Sequence, residues 1–390
     1  MNANGIGEIW IQELDIKNWK LVGERHTVWD GAFGCCTEGP HIYKEHGLYY
    51  LLVAEGGTGK NHAVMMAASE RIFGPYEENP RNPILTTRHV TNDYFVNSTG
   101  HADIIELPDG RWYMVSLGKR NDLDGDANMG RETHLIPMKW ESTIVKWEQV
   151  SDTKWEPVRY LFPVPAPLTG KVERFVPLPF KDKPQYINNS FIDYFASGKL
   201  NLEWNFIRVP QGKTVSLINN PGYLRLYAKP ATIEDRKNFS MIGFRQKESD
   251  FDFEVKMSYL PKDNKVQSGI IHYQKERNYL MNTVYKMKKK YYLEQQLKEK
   301  DKKVISLKKM PLKNYKGSII FKTVSRKDEY TFFYSLDDGE NFTYFTTLDA
   351  IKMLDRNYTG ALLGMFSTSN GEISRDYAEF DWVHYKDYIR

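Results

Sequence analysis

The sequence predicts an all-β protein, and three observations carry that expectation. Aromatic residues make up 14% of the 390 residues, as 9 Trp, 25 Tyr and 20 Phe, and aromatic side chains favour strands. Apolar residues recur in short alternating or continuous runs, with little helical spacing. The runs are separated by Gly, Pro, Asn and Asp in turn-forming combinations. The same aromatics also offer flat faces on which a sugar or a base stacks, and composition does not separate that use from a β-rich core.

In chain order, the first strand candidates are Glu8–Leu14, Pro40–Tyr43, Tyr49–Ala54, Ala63–Ser69, Ala102–Glu106, Arg111–Leu117 and Thr133–Trp140. Turns are expected at Glu45-His46-Gly47, Pro108-Asp109-Gly110 and Asp122–Gly125. Gly47-Leu48-Tyr49-Tyr50 recurs as Gly110-Arg111-Trp112-Tyr113, 63 residues later, and each copy follows a strand carrying a histidine, His41 or His101. A strand repeat of roughly 40–60 residues points toward propeller blades. Seven prolines then fall within the 28 residues from Pro157 to Pro184. Such density reads as an extended connector. The organisation expected is therefore a first domain over 1–157, a connector over 158–186 and a second domain over 187–390. In the second, Tyr223–Ala228, Phe251–Met257, Gly269–His272, Ile319–Thr323, Tyr330–Tyr334 and Phe380–His384 read as strands, with a hairpin turn at Ser335–Gly339. About 200 residues of unrepeated strands suit a β-sandwich.

Several function classes are excluded. No apolar run reaches the roughly 18 residues of a membrane helix, so no membrane is expected as partner. The net charge is +4, yet Lys286–Lys309 alone holds ten lysines against Glu294, Glu299 and Asp301, so the rest of the chain is net negative. One local run is not a nucleic-acid footprint; it reads as lysine-protected strand edges, with a surface for an anionic polymer as the weaker alternative. Cys35 and Cys36 are adjacent, and neighbouring Cα atoms about 3.8 Å apart are too close for an ordinary disulfide. No Cys/His spacing resembles a zinc site. Met1–Trp10 has neither a basic nor an apolar leader region. The compartment is thus open, and cytoplasmic if Met1 is the true start.

Chemistry concentrates in four places. Glu38, in Thr37-Glu38-Gly39-Pro40-His41, stands on a stiff corner at a strand start, as an exposed turn residue or as a partly desolvated general acid. Ala54-Glu55-Gly56-Gly57-Thr58-Gly59 is glycine-rich but lacks the lysine of a phosphate-binding loop. Gly100-His101-Ala102-Asp103 sets His101 and Asp103 on one strand face, and His101 is open between metal ligand, proton partner and structural group. Arg131, in Gly130-Arg131-Glu132-Thr133, stands at a strand entrance, where a surface ion pair is the ordinary reading. No Gly-x-Ser-x-Gly elbow is present.

Taken in order, these clusters resemble glycoside hydrolase family 43, the β-xylosidase and α-L-arabinofuranosidase group. The resemblance rests on Thr37–His41, Tyr49–Tyr50 with Ala54–Thr58 and Asn61-His62-Ala63, Phe73–Glu77 with Asn82–Leu85, Gly100–Asp103, and Gly130–Thr133. Downstream, Leu202–Arg208, Pro221–Leu226 and Phe244-Arg245-Gln246 resemble that group's concanavalin-like sandwich. The resemblance implies a partial five-bladed β-propeller followed by a β-sandwich. It also implies inverting hydrolysis of xylo- or arabino-oligosaccharides, with an acid and a base on opposite sides of the sugar. Glu38 matches the family's general acid and Arg131 an arginine that contacts the terminal sugar. Thr58 matches a pocket-lining residue. His101 matches a histidine at the propeller centre that holds a calcium ion in some members and not in others, and no cofactor is otherwise required.

The departure is at the front. The family's general base is an Asp in the first blade, and nothing here matches it. Gly5–Leu14 resembles a strand well inside the propeller, and Asn18–Glu24 a blade ending. About two and a half blades are therefore expected to be lacking, with activity impaired for want of the base. Asp30 and Asp103 are in-chain carboxylates without a marked role. A fragment of a longer protein is the favoured explanation. A chain completed by a partner and a non-catalytic carbohydrate-binding protein are the alternatives, and oligomeric state is open.

Overall fold

The computed structural model describes residues 7–32, 35–91, 93–123, 125, 127–180, 190–353 and 359–388. Among these, regular structure is strand throughout apart from two short 3₁₀ turns, at Ile233–Asp235 and Ala350–Met353. No described helix is long and apolar enough to cross a membrane. The chain divides into two units, Met1–Asn121 with Arg131–Pro184, and Asp122–Gly130 with Gln185–Arg390.

The first unit holds three antiparallel propeller-type sheets. β1 (Ile9–Asp15) pairs with β2 (Lys20–Trp29). β3 (Glu38–Glu45), β4 (Leu48–Glu55), β5 (Ala63–Ser69) and β6 (Glu77–Glu78) follow in sheet order, with β7 (Leu85–Thr86) also on β5. β8 (Val96–Glu106), β9 (Trp112–Arg120), β10 (Arg131–Ser151) and β11 (Lys154–Pro165) form the third sheet, also in sequence order. Short connections between neighbouring strands give this simple up-and-down order. β5 is buried along its whole length, as expected of a strand covered on both faces. The core joins the second and third sheets through Tyr50, Leu52, Val64, Met66, Met114, Ile136 and Phe162. Tyr50 satisfies its buried hydroxyl by donating to the Leu161 carbonyl at 2.7 Å.

The proline-dense stretch departs from the sequence expectation. Its first part, through Pro165, is the strand β11, with Pro157, Pro163 and Pro165 opposite Trp147, Trp140 and Met138. Among the described residues β11 pairs only with β10, and so is an edge strand. An edge tolerates residues without an N–H, because their missing donor has no partner to serve. The connector's later part, from 181 to 186, lies outside the described residues.

The second unit is a sandwich of two antiparallel sheets. One has the order Ser240–Arg245, Leu362–Thr368, Gln267–Lys275, Asn278–Met287, Lys290–Glu299, Ile305–Pro311. The other runs Val215–Ser216, Leu224–Tyr227, Tyr377–Tyr388, Asp250–Ser258, Ser318–Arg326, Glu329–Ser335, Thr343–Asp349, with Phe191–Asp193 also on Tyr377–Tyr388. Period-two alternation is clean in Asp250–Ser258, where Phe251, Phe253, Val255 and Met257 are fully buried between half-exposed neighbours. They share one core with Ile270, Leu280 and Val284 of the facing sheet. The lysine run falls on the last strands of the first sheet, and Ile305–Pro311, carrying Lys308 and Lys309, is its edge. The segment Asp122–Gly130 belongs to this unit because it is anchored there. Leu123 is 5% exposed within its core, and Asn128 donates to Tyr330 Oη at 2.6 Å.

Candidate active site

The first unit brings three of the four sequence-predicted site residues together. Glu38 opens β3 opposite Ala54 of β4, and the register slips between Glu38 and His41. The slip is a bulge made by Gly39, whose φ is +60°. Its close neighbour is His101: a side-chain carbon on Gly39 would lie 2.5 Å from His101 Nε2. Only glycine lets the acid-bearing strand pass the imidazole this closely. His101 itself stands on an irregular stretch of β8, with register slips on both sides of Gly100 and a φ of +50°. Bulges re-aim side chains and gather near active sites, and a non-glycine residue with positive φ persists only where its surroundings hold it.

The preceding residue continues the stack. A side-chain carbon on Gly100 would lie 2.6 Å from the ring of His62. His62 is 1% exposed, and its Nδ1 lies 3.0 Å from the Ser98 carbonyl. A carbonyl only accepts, so Nδ1 carries the proton and Nε2 is a lone-pair acceptor. Nε2 is buried and has no hydrogen-bond partner among the described residues. Burial holds His62 below the ordinary histidine value, against the Ser98 hydrogen bond, and the nearby charges of Arg131 and His101 push the same way. Glu38 is also close enough to act on it, in the opposite sense. Glu38, His101 and Arg131 therefore all lie close enough to act on one buried imidazole.

Arg131 begins β10 opposite Lys119 and is half-buried. The neighbouring carboxylate, Glu132, pairs with Arg120 at 2.8 Å. Thr58 is placed differently. It sits on the exposed turn after β4, and its link to the acid strand is indirect. The Gly56 N–H donates to the Cys35 carbonyl at 3.1 Å, and a side-chain carbon on Gly57 would lie 4.0 Å from Cys36 Sγ. Both cysteines are free thiols.

The two unassigned carboxylates are also located. Asp103 accepts from Tyr43 Oη at 3.0 Å and pairs with His41 Nδ1 at 3.0 Å. Asp30 is exposed. Two residues without a sequence-derived role belong to the site's frame. His62 had a signal only in its motif, Asn61-His62-Ala63. Glu55, 1% exposed at the end of β4, had none beyond the glycines that follow it. As for calcium, no group of three His, Cys, Asp or Glu side chains is arranged to hold a metal ion among the described residues. His101 lies instead against the backbone of Gly39.

The chain was compared with known proteins. Residues 1–143 match the profile of glycosyl hydrolases family 43, and residues 192–386 that of the beta xylosidase C-terminal concanavalin A-like domain. The chain is 32% identical to a xylosidase/arabinosidase of Butyrivibrio fibrisolvens, over 97% of this chain and 70% of that protein. It is 28% identical to a non-reducing end alpha-L-arabinofuranosidase of Bacteroides ovatus, over 99% of this chain and 69% of that protein. Among solved structures, a GH43B protein of a Bacteroides ovatus xyloglucan locus superposes with a TM-score of 0.86 at 27% identity, covering 98% of this chain and 72% of that one. The GH43 protein of Bacillus licheniformis gives 0.82 at 29% identity, with 98% and 71% covered.

Proposed function

The chain belongs to glycosyl hydrolase family 43, and from that premise we propose that it releases terminal xylosyl or arabinofuranosyl units from hemicellulose-derived oligosaccharides. The observation that carries this reading is the convergence of Glu38, His101 and Arg131 around the buried His62. Glu38 protonates the glycosidic oxygen as the bond to the anomeric carbon breaks. Arg131, a permanent cation with a fixed fork of donors, holds the hydroxyls of the terminal sugar beside the acid. His101 braces the acid strand through Gly39. Thr58, on the exposed turn after β4, lines the rim of the pocket. The relatives are named as hydrolases, which favours turnover over carbohydrate binding alone.

Inversion needs a second carboxylate roughly 6.5–9.5 Å from the acid, to deprotonate the attacking water. We assign that role to no described residue. Asp103 is engaged by Tyr43 and His41, and Asp30 is exposed. No step of the proposal runs through calcium. The test is release of aryl β-D-xyloside and aryl α-L-arabinofuranoside by the chain and by Glu38→Gln. The variant is expected to lose about 10²–10⁴-fold in rate, the usual worth of a general acid. Equal rates would overturn the assignment of Glu38, and no release by the unaltered chain would overturn the proposed turnover.

A further inference from the structure

Resting on the reading of Glu38 as the acid, we propose that Glu55 is its positioning residue. Its buried carboxylate anchors the approach to β3 and so fixes where the acid stands. Glu55 follows Ala54, the register partner of Glu38, and is 1% exposed. Its Oε1 accepts the Ala32 N–H at 2.8 Å and the Thr37 hydroxyl at 3.2 Å. The Thr37 hydroxyl has one proton, which it shares with the Asp30 carbonyl at 3.1 Å. One oxygen therefore binds the backbone that enters this approach and the residue immediately before the acid.

The surrounding backbone is shaped to this carboxylate. Gly31 has a φ of +94°, and a side-chain carbon there would lie 1.8 Å from Glu55 Oε1 and 2.4 Å from Thr37 Oγ1. The residue after Glu55 holds the other flank, where the Gly56 N–H donates to the Cys35 carbonyl. A buried carboxylate is costly unless donors satisfy it, and hydrogen bonds to an ionised acceptor are roughly twice as strong as neutral ones. Such a group holds its donors in one arrangement. Protonating a leaving group demands that arrangement, because a misplacement of about 1 Å costs on the order of 10²-fold in rate.

The test compares Glu55→Ala, which removes the acceptor, with Glu55→Gln, which keeps a carbonyl oxygen in place of Oε1. Hydrogen exchange and iodoacetamide alkylation of the half-buried Cys36 read the approach to β3 directly, with or without turnover. Glu55→Ala is expected to raise both by about tenfold around Asp30–Thr37, a change of one decade in local opening, and to leave sandwich peptides unchanged. Glu55→Gln is expected to stay near the unaltered chain. On aryl xylosides, Glu55→Ala is expected to lower kcat with little change in KM, and more for a poor leaving group than for an activated one. Unchanged exchange and alkylation in Glu55→Ala would overturn the proposal. So would equal damage from Glu55→Gln and Glu55→Ala, or a loss of kcat that ignores the leaving group. Thr37→Val, which removes a single donor, replaces Glu55→Ala if that variant does not fold; it is expected to loosen the same segment, and no loosening would overturn the anchor. Glu38→Gln on the same substrates separates the two readings. If it leaves the leaving-group dependence untouched, the acid assignment fails. If it steepens that dependence and Glu55→Ala does not, the positioning role fails.

Discussion

Gly39 is the residue on which the site's geometry turns. It has a left-handed φ and lies against the ring of His101. Gly39→Ala is expected to cost about 1–2 kcal/mol from the backbone alone, and more from contact with the imidazole. A lowered urea midpoint of the first unit, together with weaker release of aryl xyloside, checks it; an unchanged midpoint would show that Gly39 is not confined. At this scale the sequence was legible in part. Glu38 is marked by its motif and by the ordered motifs behind it, since spacing alone reads it as a turn residue. His62 is marked only through its motif, and Glu55 only through the glycines that follow it. Their burial and partners come from Ala32, Thr37, Ser98 and Gly100, which lie on other strands or loops. No local pattern encodes such meetings.

Strands and turns were more readable. Each of the first unit's sequence-expected strands lies on an observed one, because alternation and turn residues are local signals. Lengths were read short where bulges break the pattern, as in β8, and β11 was read as connector because its prolines mask the strand. In the sandwich, the strand Gln267–Lys275 buries His272 completely among the rings of Phe253, Tyr330 and Phe332. Burial pulls its pKa from 6.5 down to about 3. A histidine whose folded value is depressed adds no penalty above the unfolded value. As pH falls below about 6.5, the unfolded chain takes up a proton that the folded one refuses, and stability drops until the folded group titrates near 3. The slope is about 1.4 kcal/mol per pH unit. His272→Phe is expected to flatten the decline in sandwich stability between pH 6.5 and 4 by about that slope, as read by urea unfolding at each pH. Parallel declines in the two proteins would contradict the assignment.

The whole molecule combines a propeller-type unit carrying the catalytic candidates with a sandwich whose two sheets share one core. The count of two units was legible from composition, but the membership of Asp122–Gly130 was not. Leu123 and Asn128 earn their place in the sandwich through partners far along the chain. Charge was legible as well, since the lysine run falls on the outer strands of one sandwich sheet. The general base was not, and we assign that role to neither Asp30 nor Asp103. The central claim is that Glu38 protonates the departing group of a xyloside or arabinofuranoside. It is tested most directly by kcat/KM of the chain and of Glu38→Gln on aryl xylosides spanning poor and activated leaving groups. The account predicts a loss of about 10²-fold or more on the poor leaving group, and a much smaller loss on the activated one. The same ratio across all leaving groups, or no loss at all, would contradict it.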